Sequence, residues 1–149
     1  MSEFNKPKPA SVKYEDYNIG DSAFHAKTIT EADVVLFAGI TGDFNPLHIN
    51  EEFAQTQMFE KRVVHGAFST GLISAVLGTK LFGPGVLYAS QTVRFEKPVY
   101  IGDTLTAIAT VKEKYTKKEG KLKFIKAETN VYNQDDALVT SGEAVVLVM

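Results

Sequence analysis

The sequence predicts an α+β domain in which one curved antiparallel sheet wraps around one long, buried helix. The segment 65–80 is apolar on nearly every face of a helix, which is typical of a helix covered by other parts of the protein. Most of the chain after this segment consists of strand-like stretches, rich in β-branched and aromatic residues, with short polar connections. Because a helix this apolar needs a sheet to cover it, a strongly curved sheet around a single helix accounts for both observations.

Before the central helix, the sequence predicts one strand and a first helix. The segment 17–30 is weakly strand-like. Thr30 then precedes acidic residues and an apolar run, and a hydroxyl cap followed by acids is a typical helix start. This helix should continue to about Ala38 and stop at Gly39 or Gly42.

The connection between the first helix and the central helix is expected to be rich in turns. Residues 41–48 read TGDFNPLH and form a predicted loop, because glycine, asparagine and proline all disfavour regular structure. Asn50 can cap a short second helix that starts at Glu51. The glycine and proline residues at 83–85 should then end the central helix.

The strands expected after the central helix span residues 86–96, 104–116, 121–133 and 137–148. The breaks at 117–120 and 133–136 are short and polar, as in hairpin connections. Pro98 and the pair Gly102-Asp103 mark a bend after the first of these strands. This part of the chain therefore predicts an antiparallel meander.

The length of 149 residues suits one compact domain. Residues 1–13 are polar and carry two Lys-Pro pairs, so we predict a flexible N-terminal arm followed by a single domain at 14–149. The formal net charge of −2 does not favour a nucleic-acid partner. No membrane partner is expected, because the longest charge-free stretch, 66–79, is too short for a span of about 20 apolar residues.

The absence of cysteine narrows the possible chemistry. It excludes a disulfide framework, a thiolate nucleophile and a Cys-ligated metal. The first ten residues also lack the apolar core of a signal peptide. A cytoplasmic location is therefore expected.

Asp43 and His48 are the candidate catalytic residues. Both lie in the turn-rich loop, and the turn residues between them can bend the chain so that the two side chains face one space. A carboxylate and an imidazole suffice to move a proton onto and off water near neutral pH. Taken alone, such an Asp-x-Asn-Pro turn is more often structural.

Three blocks of sequence closely resemble the MaoC-like (R)-specific enoyl-CoA hydratases, the hydratase-2 family. The matching residues are Phe37, Thr41, Gly42, Asp43, Asn45, Pro46, Leu47, His48 and Ala54 in the first block, Val64, His65 and Gly66 in the second, and Phe95, Pro98, Val99, Gly102 and Asp103 in the third. The resemblance covers roughly residues 17–149, and the three blocks occur in the family's order.

This resemblance implies the hot-dog fold, a curved antiparallel sheet around one long helix. It also implies a homodimer whose sheets join edge to edge, with the thioester tunnel between subunits, or a larger assembly built from such dimers as a dimer of dimers or trimer of dimers. The expected substrate is an acyl-CoA or acyl-carrier-protein thioester. No metal or cofactor is expected, because coenzyme A enters only as part of the substrate.

The family's site residues map onto this sequence one by one. Asp43 and His48 would hold and activate a water and pass its proton to the substrate α-carbon. Asn45 would orient the pair or the water by hydrogen bonding, and the backbone N–H of Gly66 would stabilise the enolate oxygen at a helix N-terminus. Ser74 matches a supporting serine.

Other interpretations remain open from the residues. Asp43, His48 and His65 could converge as three zinc ligands, but their spacing matches no metal motif. His65 is interpreted as a structural residue that packs or hydrogen-bonds locally, and His25 as a surface strand residue. A hot-dog acyl-CoA thioesterase and a non-catalytic acyl-thioester-binding module are the alternative functions.

The basic residues at 112–126 allow two interpretations. Acidic residues are mixed among them, which is typical of a solvated hairpin. The same lysines could instead attract the phosphates of coenzyme A. Arg94 and Lys97, close to the third matching block, are equal candidates for that role.

Overall fold

The computed structural model describes residues 13–149, which contain five strands and four α-helices. The elements are β1 (Ser22–Thr28), α1 (Glu31–Thr41), α2 (Pro46–Ile49), α3 (Glu51–Gln55), α4 (Gly66–Val76), β2 (Val86–Phe95), β3 (Thr104–Lys117), β4 (Leu122–Tyr132) and β5 (Leu138–Val148). A π-helical turn, Leu77–Leu81, extends α4. The predicted arm at 1–13 lies outside the described residues except for Lys13. Among the described helices, none is long and apolar enough to cross a bilayer.

All five strands form one antiparallel sheet in the order β1-β3-β4-β5-β2. The last three strands form a meander, but the expectation that β2 belongs to it is wrong, because β2 pairs with β5 and not with β3. Strands β1 and β2 form the two edges. Register shifts at Val111/Glu113 and Tyr88/Ser90 mark bulges, which bend a sheet and increase its twist. The predicted hot-dog architecture is confirmed.

One face of the sheet and α4 together form the hydrophobic core. On β3 and β4 alternate residues are buried, as expected for strands with one face toward the core. The buried residues of α4 are Ser69, Leu72, Ile73 and Val76. The expectation that α4 is buried on nearly all sides is wrong for the single chain, because the sheet covers one side only. The uncovered side carries the small residues Gly66, Ala67, Gly71 and Ser74.

The ends of α1 follow the predicted signals. The Thr30 hydroxyl accepts a hydrogen bond from the Asp33 N–H at 3.2 Å, and the Asp33 carboxylate accepts one from the Thr30 N–H at 2.9 Å. This reciprocal capping box satisfies two backbone donors that the helix itself leaves free. The helix ends at Gly42, whose φ of 84° is readily adopted only by glycine.

The predicted loop at 41–48 is shorter than expected. Pro46 starts the helical turn α2, and the Asn45 side chain caps it by accepting from the Leu47 N–H at 3.0 Å. Proline suits the first position of a helix, where its missing N–H would have no helical acceptor and its fixed φ is already helical. The short helix capped by Asn50 is confirmed as α3, with the Phe53 N–H donating to the cap at 3.0 Å.

Candidate active site

The candidate site lies where the turn between α1 and α2 meets the N-terminus of α4. Asp43 follows the end of α1, His48 lies on α2, and His65 and Gly66 start α4. Capping interactions at Gly42 and Asn45 fix both ends of the turn. The caps that shape this loop therefore also place Asp43 and His48 side by side.

The structure brings the side chains of Asp43 and His48 together. The His48 Nε2 atom lies 3.9 Å from the Asp43 Oδ2 atom, with the His48 side chain 12% exposed and the Asp43 side chain 51% exposed. This distance is too long for a direct hydrogen bond. A single water oxygen can lie about 2.8 Å from both atoms at once, so the gap suits a shared water.

Hydrogen bonding fixes the tautomer of His48. Its Nδ1 atom lies 2.7 Å from the backbone carbonyl oxygen of Val63. A carbonyl oxygen only accepts, so Nδ1 carries the hydrogen and donates it. The neutral ring therefore presents the lone pair of Nε2 toward Asp43, where it can accept a proton from water.

Asn45 supports both members of the pair. Its backbone N–H donates to Asp43 Oδ1 at 3.2 Å, so that the other carboxylate oxygen, Oδ2, faces His48. Its side chain caps α2, the element that carries His48. The expected orienting role of Asn45 therefore has a geometric basis in two hydrogen bonds, one from the backbone and one to the side chain.

Arg62 is a supporting residue that the sequence analysis missed. Its Nε atom donates to the His48 carbonyl oxygen at 2.6 Å, and one terminal nitrogen donates to both carboxylate oxygens of Glu31 at 2.9 and 2.7 Å. The Arg62 side chain is only 11% exposed. It thus ties the turn that carries His48 to the start of α1. Nothing in the local sequence distinguishes Arg62 from its neighbour Lys61.

His65 lies at the centre of the site and does not merely pack locally. Its ring stacks on His48, with ring centroids 3.9 Å apart and an angle of 29° between the planes. Its Nε2 atom lies 2.9 Å from the backbone carbonyl oxygen of Asp43. His65 is buried and contacts both predicted catalytic residues. His25 lies on the edge strand β1, where a strand residue was expected, but it is half-buried and not fully on the surface.

Gly66 is the first residue of α4 and faces a largely apolar cavity of about 360 Å³. The N–H at this position has no helical acceptor and lies at the positive end of the helix dipole. A Cβ atom at Gly66 would meet the ring of Phe95 at 3.1 Å, so glycine lets the ring close over the helix end. The residues His48, His65 and Gly66 line this cavity together with apolar walls from Val64, Phe95, Val99 and Leu105.

Ser74 is not brought to the cavity in the single chain. It lies exposed on the uncovered side of α4, and the residues that line the cavity do not include it. Ser69 lines the cavity instead. Its hydroxyl donates to the Gly66 carbonyl oxygen at 2.7 Å and lies 2.9 Å from the hydroxyl of Thr140. The supporting role of Ser74 remains a prediction.

The three residues considered as zinc ligands do converge. Ligand atoms of Asp43, His48 and His65 all lie within 4.8 Å of one another. The two rings are stacked, however, so their in-plane lone pairs run side by side instead of meeting at one point. One nitrogen of each ring also donates to a backbone carbonyl. The arrangement does not fit tetrahedral zinc, and a metal-free site remains the prediction.

Three of the seven lysines of the basic hairpin at 112–126 form ion pairs. Lys112 lies 4.0 Å from Glu128, Lys123 lies 2.6 Å from Glu15 and Lys126 lies 3.3 Å from Glu113. The hydrogen bond from Lys126 to Glu113 raises the pKa of the Lys126 ammonium. These contacts favour the solvated-hairpin interpretation. Lys97 lines the cavity instead, which makes it the better placed of the predicted phosphate-binding candidates.

Comparison with known proteins agrees with this geometry. The chain is 47% identical to an (R)-specific enoyl-CoA hydratase from Rhodospirillum rubrum over 135 residues, which cover 91% of this chain and 90% of that protein. It is 36% identical to an (R)-specific enoyl-CoA hydratase from Aeromonas caviae, covering 89% of this chain and 96% of that protein. Among solved structures, the unliganded R-hydratase PhaJ1 from Pseudomonas aeruginosa superimposes with a TM-score of 0.84 at 38% identity, covering 93% of this chain and 86% of that chain.

The same relationship appears at the level of the family. Residues 19–133 match the family described as the MaoC like domain. That range includes all three matching blocks, and with them the α1–α2 turn and the start of α4. The fold, the site and the comparisons thus lead to one conclusion: this chain belongs to the MaoC-like domain family.

Proposed function

We propose that this chain is an (R)-specific enoyl-CoA hydratase, a hydro-lyase that interconverts trans-2-enoyl-CoA and (R)-3-hydroxyacyl-CoA. The observation that carries the proposal is the 3.9 Å gap between the free Nε2 atom of His48 and Asp43 Oδ2, beside the free helix end at Gly66. The two relatives named (R)-specific enoyl-CoA hydratase support it. Acyl-carrier-protein thioesters are alternative substrates of the same chemistry.

In the proposed reaction, Asp43 and His48 hold one water in their shared gap. The pair takes a proton from this water as its oxygen bonds to C3 of the enoyl group and the C2–C3 π bond breaks. Negative charge then develops on the thioester oxygen, where the N–H of Gly66 stabilises it. The proton returns to C2, so the sum is the addition of one water across the double bond. Dehydration is the reverse sequence.

The assembly proposed for this function is a homodimer with the tunnel between subunits. Two uncovered surfaces support it. One is the small-residue side of α4, and the other is the edge strand β2, on which Leu87, Val93 and Phe95 are exposed. A long apolar edge strand is normally covered, because its unpaired backbone groups invite association. We also propose a cytoplasmic location, which fractionation of the source cells would test.

Hydration of crotonyl-CoA tests the proposed activity directly. We expect the purified protein to remove the enoyl absorbance without releasing free coenzyme A. The product should be oxidised by a dehydrogenase specific for the (R)-3-hydroxyacyl thioester and not by one specific for the (S) form. Release of free coenzyme A without hydration, on short and medium enoyl-CoA esters, would instead identify a thioesterase. Binding of these esters without turnover would identify a non-catalytic module.

A further inference from the structure

His65 is the one histidine of the site that the proposed reaction does not use. Its side chain is enclosed, with the residue only 3% exposed. The ring lies between the ring of Phe37, at a centroid distance of 4.8 Å, and the ring of His48, at 3.9 Å. A histidine so placed contacts both members of the proton-transfer pair.

The hydrogen bond of His65 crosses between two parts of the fold. Its Nε2 atom lies 2.9 Å from the Asp43 carbonyl oxygen, so Nε2 carries a hydrogen and donates it. The other hydrogen bonds of Asp43 involve Thr41 and Asn45, which belong to the same turn. Among the residues that the structure describes, the bond from His65 is the one hydrogen bond that ties Asp43 to the start of α4.

The second nitrogen of His65 supports the same tautomer. The Nδ1 atom is buried and has no hydrogen-bond partner among the described residues. A hydrogen on this atom would be a buried donor without an acceptor, which is unfavourable. The surroundings therefore favour the tautomer with its hydrogen on Nε2, which is the one that the bond to Asp43 requires.

We propose that His65 is a positioning residue for the Asp43–His48 pair. It holds Asp43 through the hydrogen bond to the backbone carbonyl, and its ring lies against His48. Because His65 directly precedes Gly66, the same residue also fixes the pair relative to the N–H expected to stabilise the enolate. The inference rests on the proposed hydratase function. It adds a residue that fixes the Asp43–His48 pair relative to the N–H of Gly66.

Two substitutions separate the hydrogen bond from the ring contact. His65→Phe keeps an aromatic ring but removes the donor, whereas His65→Gln keeps an N–H of similar reach but removes the ring. We expect His65→Phe to lower kcat on crotonyl-CoA by about 10-fold or more, since small displacements of reacting groups are costly, with KM changed by less than about threefold. His65→Gln should recover most of the lost kcat. Wild-type kcat in His65→Phe, or an equal loss in both variants, would overturn the proposal.

A measurement on the wild-type protein tests the same geometry without relying on the folding of the His65 variants. The chain contains three histidines, so the long-range proton–nitrogen spectrum of ¹⁵N-histidine-labelled protein can be assigned with His25→Gln and His48→Gln, which leave His65 in place. We expect the hydrogen of His65 on Nε2 and that of His48 on Nδ1 at neutral pH. The opposite tautomer at His65 would refute the bond to Asp43. If the protein hydrated no enoyl thioester, the proposed function would fail while this spectrum still reported the placement of His65.

Discussion

In Asp43 and in His48, one polar atom of the side chain hydrogen-bonds to the backbone and a second one faces the shared gap. His48 donates from Nδ1 to the Val63 carbonyl, and Asp43 accepts at Oδ1 from the Asn45 N–H. The free atoms are Nε2 and Oδ2. Anchoring one edge of a side chain restricts the direction of the other, so the site is organised before a substrate arrives.

The roles of these two residues can be tested by nearly isosteric changes. Asp43→Asn keeps the oxygen that accepts from Asn45 but removes the charge, and His48→Gln removes the imidazole base. Each should lower kcat by about 10²-fold or more, the usual scale for a positioned acid or base. Steady-state hydration of crotonyl-CoA measures the effect, and Asn45→Ala should show a smaller loss.

A matched control for this series is His25→Gln, which changes the histidine on β1, a residue that does not line the cavity. We expect it to keep the wild-type rate. If Asp43→Asn and His48→Gln were as active as this control, proton transfer would have to be assigned to other residues.

At the scale of helices and strands, the sequence predicted the helix ends that local hydrogen bonds determine. The caps at Thr30 and Asn50 use donors three residues away, so their signals can be read along the chain. The sequence does not predict the turn α2, because proline disrupts the interior of a helix, but Pro46 occupies the first helical position, where proline is favoured. The contacts of Arg62 and His65 were missed for a different reason. They join segments that are distant in sequence, so only packing reveals them.

The capping box at the start of α1 predicts a pH-dependent contribution to stability. Burial alone would raise the pKa of the Asp33 carboxyl, but the Thr30 N–H and the Lys27 ammonium, 3.0 Å away, lower it below its ordinary value. A lowered pKa in the folded state means that the carboxylate stabilises the protein above its ordinary pKa. This contribution is lost as the pH falls through the lowered value.

We therefore expect Asp33→Ala to reduce the free energy of unfolding by about 1 kcal/mol at neutral pH, as for loss of a helix cap. The difference from wild type should shrink near pH 3. Urea denaturation at both pH values measures it, with Thr30→Ser as a control that keeps the capping hydroxyl. An unchanged difference at low pH would show that the Asp33 charge is not involved.

The N-terminus of α4 allows its N–H to be removed without removing the helix. Gly66 is the first helical residue, where proline is tolerated. The preceding residue, His65, has φ −53° and ψ 129°, an extended conformation compatible with a following proline. Gly66→Pro thus removes the donor proposed to stabilise the enolate oxygen.

Gly66→Ala is the matched control, because both variants add a Cβ atom against Phe95 and only proline lacks the N–H. We expect a modest loss of kcat in Gly66→Ala as the ring yields, and a further loss of about 10²–10³-fold in Gly66→Pro. Crotonyl-CoA kinetics with circular dichroism of both variants measure this. Equal rates in the two variants would rule out the N–H as the oxyanion donor.

At the scale of the whole molecule, the sequence predicted the layers but not the order of the strands. The meander β3-β4-β5 followed from its short polar turns. The two edge positions did not, because β1 joins β3 and β2 joins β5 across long stretches of chain. Those pairings depend on how α4 packs under the sheet. They leave β2 at an open edge, next to the uncovered side of α4.

The open edge at β2 is where the proposed homodimer can be tested. Wild-type protein should show twice the mass of one chain by light scattering after size exclusion. The double variant Leu87→Lys/Val93→Lys places charges on exposed apolar positions of this edge, so we expect a shift toward monomer and a parallel loss of activity. Phe24→Lys is the matched control, since Phe24 is an exposed apolar residue on the opposite edge strand β1 and is expected to leave the dimer intact. A fully active wild-type monomer would mean that one chain forms the complete tunnel, and the uncovered side of α4 would then need another explanation.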